Sequence, residues 1–202
     1  MIRAIKPAIA GALALTTLAA CQRENRGYAG GTLDTSRVPM ESASPSATMA
    51  KTAYSSPAIL GFGAVANSAE IQLGRLAQTK GTHPDVKAFG RLMVTDHQAM
   101  LGDTKRLAAK LGTVLDTTAE ATSDLANDAR DEFRKLADQA AGRDWDEDYM
   151  EAMVEGHEKV LNHLQEAAKN TTVPEVRAAL DTAAAKVQSH LAKAREIKAK
   201  ID

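Results

Sequence analysis

The chain has 202 residues, one cysteine and a formal net charge of −1 from 25 basic and 26 acidic residues. This balance gives no electrostatic reason to expect nucleic-acid binding, and a lone cysteine cannot form an intrachain disulfide. Aromatic residues make up only 3% of the chain, while Ala, Leu, Lys, Glu and Asp are abundant, so the composition favours helices over sheets.

Residues 1–20 have the organisation of a bacterial signal peptide. Arg3 and Lys6 precede an apolar run from Ala8 to Leu15, and small residues then follow up to Ala20. The apolar run is too short to span a membrane as a helix. Removal of residues 1–20 would take two residues from the 25 basic ones, which leaves 23 against 26 acidic residues and a net charge of −3.

The signal peptide ends in the sequence LAAC, which resembles the bacterial lipobox, where cleavage occurs before a cysteine that carries acyl chains. This motif predicts that Cys21 is lipidated and becomes the first mature residue. The alternative is an ordinary cleavage site beside a chance cysteine. We therefore predict an outer-membrane lipoprotein of the cell envelope, attached through its lipid and facing the periplasm or the cell surface.

Residues 21–57 are predicted to be a tether that begins at the lipidated cysteine. The segment is rich in Ser, Thr, Gly, Ala and Pro and has no sustained apolar periodicity, so it cannot bury enough apolar surface to fold. A flexible chain of this length would hold the following domain on the order of 30 Å from the lipid.

Residues 58–202 are predicted to form one helical domain. Apolar periodicity, prolines and glycines predict long helices over about 58–80, 84–111, 144–169 and 174–202. A weaker pattern over about 118–140 is compatible with one helix or with a short helix and a loop. The second and fourth long helices begin alike, with PDVKA at 84–88 and PEVRA at 174–178. This partial repeat predicts two helical hairpins in an all-α four-helix bundle, with an extra helical link between them.

Each long helix has one polar residue in its apolar stripe, and these residues are Glu70, His97, His157 and His190. Within the first hairpin, Glu70 and His97 lie 14 and 13 residues from the proline that begins the second helix. Within the second hairpin, His157 and His190 lie 17 and 16 residues from the corresponding proline. At 1.5 Å per residue, the two members of each pair share one height, and the two pairs differ by about one helical turn.

Three imidazoles and a carboxylate at one level suit zinc, copper, iron or manganese, so the pattern predicts a metal site. Asp96 and Asp148 are candidates to orient the imidazoles by accepting hydrogen bonds from them. The alternative is that each histidine is an ordinary core residue bonded to a nearby carboxylate.

Several separated segments form a recognisable pattern, namely AEIQLGRLA at 69–77, PDVKAF at 84–89 followed by Met93 and Asp96-His97, DYM at 148–150 followed by Met153 and His157, and the pair His190-Leu191. Over about residues 58–199, this pattern resembles one bacterial family, described as domain of unknown function 4142. It implies an envelope protein with a ferritin-like four-helix fold, and it implies no established reaction.

The sequence departs from the ferritin-like di-metal enzymes, which use a Glu-x-x-His pair on each of two helices. The residues three positions before the histidines of the apolar stripes are Val94, Val154 and Val187. We therefore predict an envelope lipoprotein, non-catalytic or of unassigned activity, whose helical bundle binds a metal ion or a protein partner in stress protection or metal handling. The alternatives are a metal-dependent redox enzyme of ferritin-like type and a structural or interaction module without a site.

Overall fold

The computed structural model describes residues 53–202, and this part of the chain contains five helices and no strand. The helices are α1 (Ser56–Lys80), α2 (Pro84–Lys110), α3 (Glu120–Asp138), α4 (Arg143–Asn170) and α5 (Pro174–Ile201). The predicted all-α bundle, with a helical link between two hairpins, is confirmed. The predicted signal peptide, Cys21 and the tether up to residue 52 lie outside the described residues.

The long helices begin and end within about two residues of the predicted positions, because prolines and glycines mark their ends. Pro84 and Pro174 occupy the first turns of α2 and α5, where a missing N–H leaves no hydrogen bond unmade. Gly112 follows α2 with φ of 61°, a conformation that a glycine adopts without strain. The weaker segment between the hairpins is one helix, α3.

The most extensive helix contacts are those within the two hairpins, α1 with α2 and α4 with α5, and α3 packs mainly against α1. The helices of the first hairpin approach closely at Gly74 and Gly90. A Cβ at Gly74 would lie 2.7 Å from the Gly90 carbonyl oxygen, and a Cβ at Gly90 would lie 2.7 Å from the Gly74 carbonyl oxygen. Only glycines allow this approach of the two backbones.

Two charged side chains connect the hairpins near the α1–α2 turn. Buried Asp146, in the first turn of α4, accepts hydrogen bonds from the backbone N–H groups of Thr82 at 2.9 Å and His83 at 2.7 Å. Lys80, the last residue of α1, donates to backbone carbonyls at the end of α3, including that of Leu136 at 3.2 Å. Carbonyls at a helix end lack partners within the helix, so this ammonium group satisfies them.

The core consists of two clusters, which we call the closed end and the open end. The closed end surrounds the α1–α2 turn, and its members are Leu73, Ala77, Val86, Phe89, Met93, Leu136, Trp145, Tyr149, Met150, Met153, Ala194, Ile197 and Ile201. The open end has fewer buried side chains, which are Ile59, Leu164, Ala167, Val176, Leu180 and Val187, and many half-buried apolar residues around them. The bundle is therefore packed more completely at one end than at the other.

Candidate metal centre

Each histidine of the apolar stripes lies where its helix passes from one core cluster to the other. In α2, His97 lies between Met93 of the closed end and half-buried Met100, which packs against the open end. His157 follows Met153 of the closed end in α4, and His190 follows Val187 of the open end in α5. All three imidazoles are buried. The two clusters thus place the three rings at one level between them.

Asn67 orients the His97 ring. The Asn67 side-chain nitrogen donates to the Gly63 carbonyl oxygen at 2.6 Å, which leaves the Asn67 Oδ1 atom 2.8 Å from His97 Nδ1. Because a carbonyl oxygen only accepts, the first bond fixes the amide orientation and Oδ1 must then accept from the ring. The proton of neutral His97 is therefore on Nδ1, and Nε2 carries a lone pair.

The same reasoning assigns the other two rings. His157 Nδ1 donates to the Met153 backbone carbonyl at 2.7 Å, so its Nε2 carries the lone pair. His190 Nε2 donates to the Asp96 carboxylate at 2.8 Å, so its Nδ1 carries the lone pair. Burial acts to raise the pKa of Asp96, but the hydrogen bond from His190 and the ammonium group of Lys186, which lies 3.3 Å from the carboxylate, hold this pKa below its ordinary value.

The three lone-pair nitrogens are the ring atoms that lack a hydrogen-bond partner within residues 53–202. The rings offer a set of ligand atoms that lie within 4.8 Å of one another, and the ring centroids are 5.2 to 6.0 Å apart. A buried acceptor without a partner costs about 1 to 3 kcal/mol, so three in one place are unfavourable without a shared partner.

Burial favours the neutral, metal-binding form of two of the rings, His97 and His190. Burial and the neighbouring His157 and His190 rings together lower the pKa of His97 to about 3, against the opposing effect of Asp96. Burial also lowers the pKa of His190, against the opposing effect of its hydrogen bond to Asp96. Because protonation of His97 and His190 is unfavourable in the folded protein, a proton is a poor partner for their lone pairs.

A metal ion satisfies this arrangement better than a water molecule does. One water donates two hydrogen bonds and cannot serve three acceptors, whereas a metal ion accepts all three lone pairs. Tetrahedral zinc, with Zn–N bonds of about 2.1 Å, separates its nitrogens by about 3.4 Å. Small rotations of the three rings would bring nitrogens that now lie within 4.8 Å to that spacing.

Glu70, predicted as the fourth ligand, is not part of this group. It is buried, and its Oε1 atom lies 3.9 Å from His157 Nδ1, the nitrogen that faces Met153 rather than the other two rings. Its Oε2 atom has no hydrogen-bond partner among the described residues, and burial raises the pKa of this carboxyl group. Glu70 therefore lies beside the three-histidine group, and its carboxyl takes up a proton at a higher pH than an exposed glutamate does.

Of the two predicted orienting carboxylates, Asp96 contacts a histidine as expected, whereas the hydrogen bond found at Asp148 comes from the Gln139 side chain at 2.9 Å. Two groups that orient the rings were not predicted, Asn67 and the Met153 carbonyl. Asn67 could have been found, because it lies three residues before Glu70 and so shares its helix face. A backbone carbonyl leaves no such signal in a sequence.

A cavity of about 710 Å³ in the open end extends to the three-histidine group. Side chains of α1, α2, α4 and α5 line it, and its walls are mainly apolar. His97, His157 and Glu70 lie at its inner end, and exposed residues such as Asp103 and Lys186 lie at its mouth. The cavity thus joins two of the three ligand rings to the protein surface.

The model of the family described as Domain of unknown function (DUF4142) matches residues 40–197, a match that starts within the segment predicted as a tether. Searches of curated proteins and of solved structures found no match. None of the helices α1–α5 contains an apolar stretch long enough to cross a membrane. Because the family match covers more than half of the sequence and agrees with the predicted resemblance, the chain belongs to the DUF4142 family.

Proposed function

We propose that this protein is an envelope-anchored metal-binding protein whose histidines at positions 97, 157 and 190 hold a single divalent transition metal ion. The observation that carries the proposal is that each ring uses one nitrogen to donate a hydrogen bond and leaves the other buried without a partner among residues 53–202, while the three rings offer ligand atoms within 4.8 Å of one another. Ordinary core histidines, each bonded to its own partner, have no reason to gather their free lone pairs.

Zinc and copper suit this ligand set best. Imidazole binds both ions well, whereas manganese prefers carboxylate and water oxygens. Three protein ligands leave a fourth coordination position for water or another molecule, as in zinc sites that are not purely structural. The hydrogen bonds from Asn67, the Met153 carbonyl and Asp96 supply the outer support that metal-binding histidines use.

The chemistry of the site favours a single metal ion over a di-iron centre. The group of ligand atoms among the described residues consists of imidazoles only, and valines occupy positions 94, 154 and 187, where a Glu-x-x-His pattern would place carboxylates. We therefore favour metal binding without redox catalysis, in a protein that holds or transfers an ion at the membrane surface.

The test uses His157→Leu, with His163→Leu on the same helix as the matched control. His163 stacks on Phe62 and is not one of the three clustered rings, so the control should keep full zinc content. Wild-type protein, purified without a polyhistidine tag, should bind one zinc ion per chain by elemental analysis. His157→Leu should lose it.

Calorimetry with zinc and with chelator adds a second measurement, because the stability difference between the wild type and His157→Leu should not keep the same sign in the two conditions. At zinc concentrations 100 times the dissociation constant, bound metal stabilises the wild type by about 2.7 kcal/mol, so His157→Leu should melt at a lower temperature. In chelator the same variant should be as stable as the wild type or more stable, because leucine removes a buried acceptor that has no partner. A wild type that contains no zinc or copper and melts identically with and without chelator would refute the proposal.

The lipid anchor at Cys21 is the second part of the proposal, and it rests on the LAAC motif alone. Acyl chains on this residue would hold the protein on a membrane, because two or more chains give stable anchoring. Cys21→Ser should move the protein from the membrane fraction to the soluble fraction. Retention of the variant in membranes washed with high salt would contradict the anchor.

A further inference from the structure

The cavity of the open end has the shape of a groove that leads from the surface to the metal centre. On α2 its lining extends from Asp96 to Lys110, which are 14 residues apart and therefore about 21 Å apart along the helix. Its apolar walls include Ile59, Met100, Leu107, Val160, Leu164 and Leu180. The mouth lies between α2 and α5, where the lining residues Ala99, Asp103 and Lys186 are exposed.

The inner end of the groove is polar, in contrast to its walls. The Nε2 atoms of His97 and His157 are buried there without partners among residues 53–202, and so is Glu70 Oε2. Once a metal ion takes the histidine lone pairs, a wholly apolar molecule would still leave the open coordination position of the ion and Glu70 Oε2 unsatisfied, at a cost. The lining therefore matches an amphiphile, with its chain along the walls and its head group at the histidines.

Charge identifies the head group. Three neutral imidazoles leave both positive charges of a divalent ion uncompensated by the ligands themselves, and the fourth position has no protein ligand in the three-histidine group. Inside a poorly solvated cavity, an anionic oxygen ligand is strongly favoured at such an ion. Carboxylates bind zinc at about 2.0 to 2.2 Å through a single oxygen, so a carboxylate head group fits one open position.

We infer that the groove binds a fatty acid, with the acyl chain between α1, α2, α4 and α5 and the carboxylate on the metal ion held by His97, His157 and His190. This inference rests on the proposed metal site and adds the class of ligand that completes it. It also explains why apolar residues of the open end are only half-buried. Those that line the groove would become fully buried on contact with the acyl chain of the fatty acid.

The test measures binding of decanoate to the zinc-loaded protein by titration calorimetry, with acetate and decan-1-ol as the matched probes. Each buried methylene strengthens binding about fourfold, so acetate should bind at least about a hundredfold more weakly than decanoate. Decan-1-ol keeps the chain and lacks the charge, and it should bind at least about tenfold more weakly. Removal of zinc by chelator should weaken decanoate binding by a similar factor.

Ala183→Phe provides a variant that fills the groove, and Ala185→Phe is its control. Ala183 is half-buried in α5 and lines the groove, whereas Ala185 is exposed on the same helix and lies outside the lining. Ala183→Phe should reduce decanoate affinity at least about tenfold, since the ring occupies space that the chain needs. The zinc content of both variants should equal that of the wild type.

Metal binding and ligand binding can fail separately in this experiment. Zinc binding without decanoate binding would overturn the fatty-acid inference and leave the metal site intact, whereas absence of zinc binding would overturn both. Equal decanoate affinity with and without zinc would overturn the placement of the carboxylate. If Ala183→Phe changes the mass of the protein in solution instead of its decanoate affinity, the groove holds a second copy of the chain. The ligand series on the wild type decides the inference even if that variant fails to fold.

Discussion

The closed and open ends of the bundle share the four long helices, α3 contributes to the closed end alone, and the two ends differ in how completely they are filled. At the closed end, Trp145 stacks on Tyr149 with ring centroids 5.2 Å apart, and the Trp145 indole N–H donates to the Leu136 carbonyl at 2.8 Å. At the open end the same helices enclose a cavity of about 710 Å³. The difference indicates that one end holds the helices together while the other keeps space for a ligand.

The proposed metal centre lies at the junction of these two ends, and each end contributes something different to it. Close packing on the closed-end side of the rings restricts their rotation, which favours a fixed geometry of the ligand atoms. The cavity on the open-end side gives small molecules a route to His97 and His157. A bundle packed completely at both ends could hold an ion but could not expose a coordination position.

The largest expected loss of stability comes from a core truncation at the closed end, and the same truncation at the open end should cost less. Leu136→Ala removes a fully buried side chain of the closed end and should lower the free energy of unfolding by about 4 kcal/mol. Leu180→Ala removes a side chain that already borders the cavity, and it should cost about 2 kcal/mol. Urea denaturation of both variants measures these values. Equal losses would show that the two ends are equally well packed.

A second comparison uses two glycines of α1. Gly74 faces the Gly90 backbone, so the Cβ of Gly74→Ala would force α1 and α2 apart at a cost of about 2 to 3 kcal/mol. Gly63 lines the cavity, and a Cβ there would be no closer than 3.8 Å to Thr104 Oγ1. Gly63→Ala should therefore stabilise the helix by about 0.5 to 1 kcal/mol. Effects of the same sign in thermal unfolding would contradict this contrast.

The smallest expected effect is the pH dependence of stability that arises from the buried His97 ring. In the metal-free protein, His97 has a pKa of about 3, far below its ordinary value of 6.5, so the unfolded chain binds a proton that the folded chain does not. The contribution of neutral His97 to the free energy of unfolding is therefore present in full above pH 6.5. It is lost as pH falls, by about 1.4 kcal/mol per pH unit and by about 2 kcal/mol in all at about pH 5.

His97→Gln tests this origin of the pH dependence. Glutamine can donate to Asn67 and does not titrate, so the slope of unfolding free energy between pH 6.5 and about 5 should fall by up to one proton. Leu136→Ala should lower stability at each pH and keep the slope of the wild type. If His97→Gln does not change the slope of unfolding free energy against pH, the pH dependence arises from groups other than His97.

The sequence predicted the long helices and the meeting of three histidines because both depend on local signals. Prolines and glycines mark helix ends, and the distances from the two turns, 13 residues for His97 and 17 and 16 residues for His157 and His190, placed the rings within about one helical turn of a common level. The remaining offset of about one turn was left to a stagger of the hairpins, and the structure brings the three rings together at one level.

Other features depend on contacts between distant segments and could not be predicted in this way. The packing of α3 against α1, the cavity and the position of Asp148 beside Gln139 follow from how the helices are arranged. Glu70 shares the height of the histidines, but it lies on the Nδ1 side of the His157 ring. A sequence gives the direction of a side chain around its helix axis only to within a broad range of angles. For Glu70 that range includes both sides of the His157 ring.

The supports of the three rings differ in how easily they can be altered. The proton positions on His97 and His190 depend on the side chains of Asn67 and Asp96, so a single codon change can reverse either tautomer or release the ring. The proton on His157 is held by the main-chain carbonyl of Met153, which every amino acid at that position would supply. Substitutions at Asn67 and Asp96 can therefore change the support of two rings in a redesigned site. The support of His157 stays the same whichever residue occupies position 153.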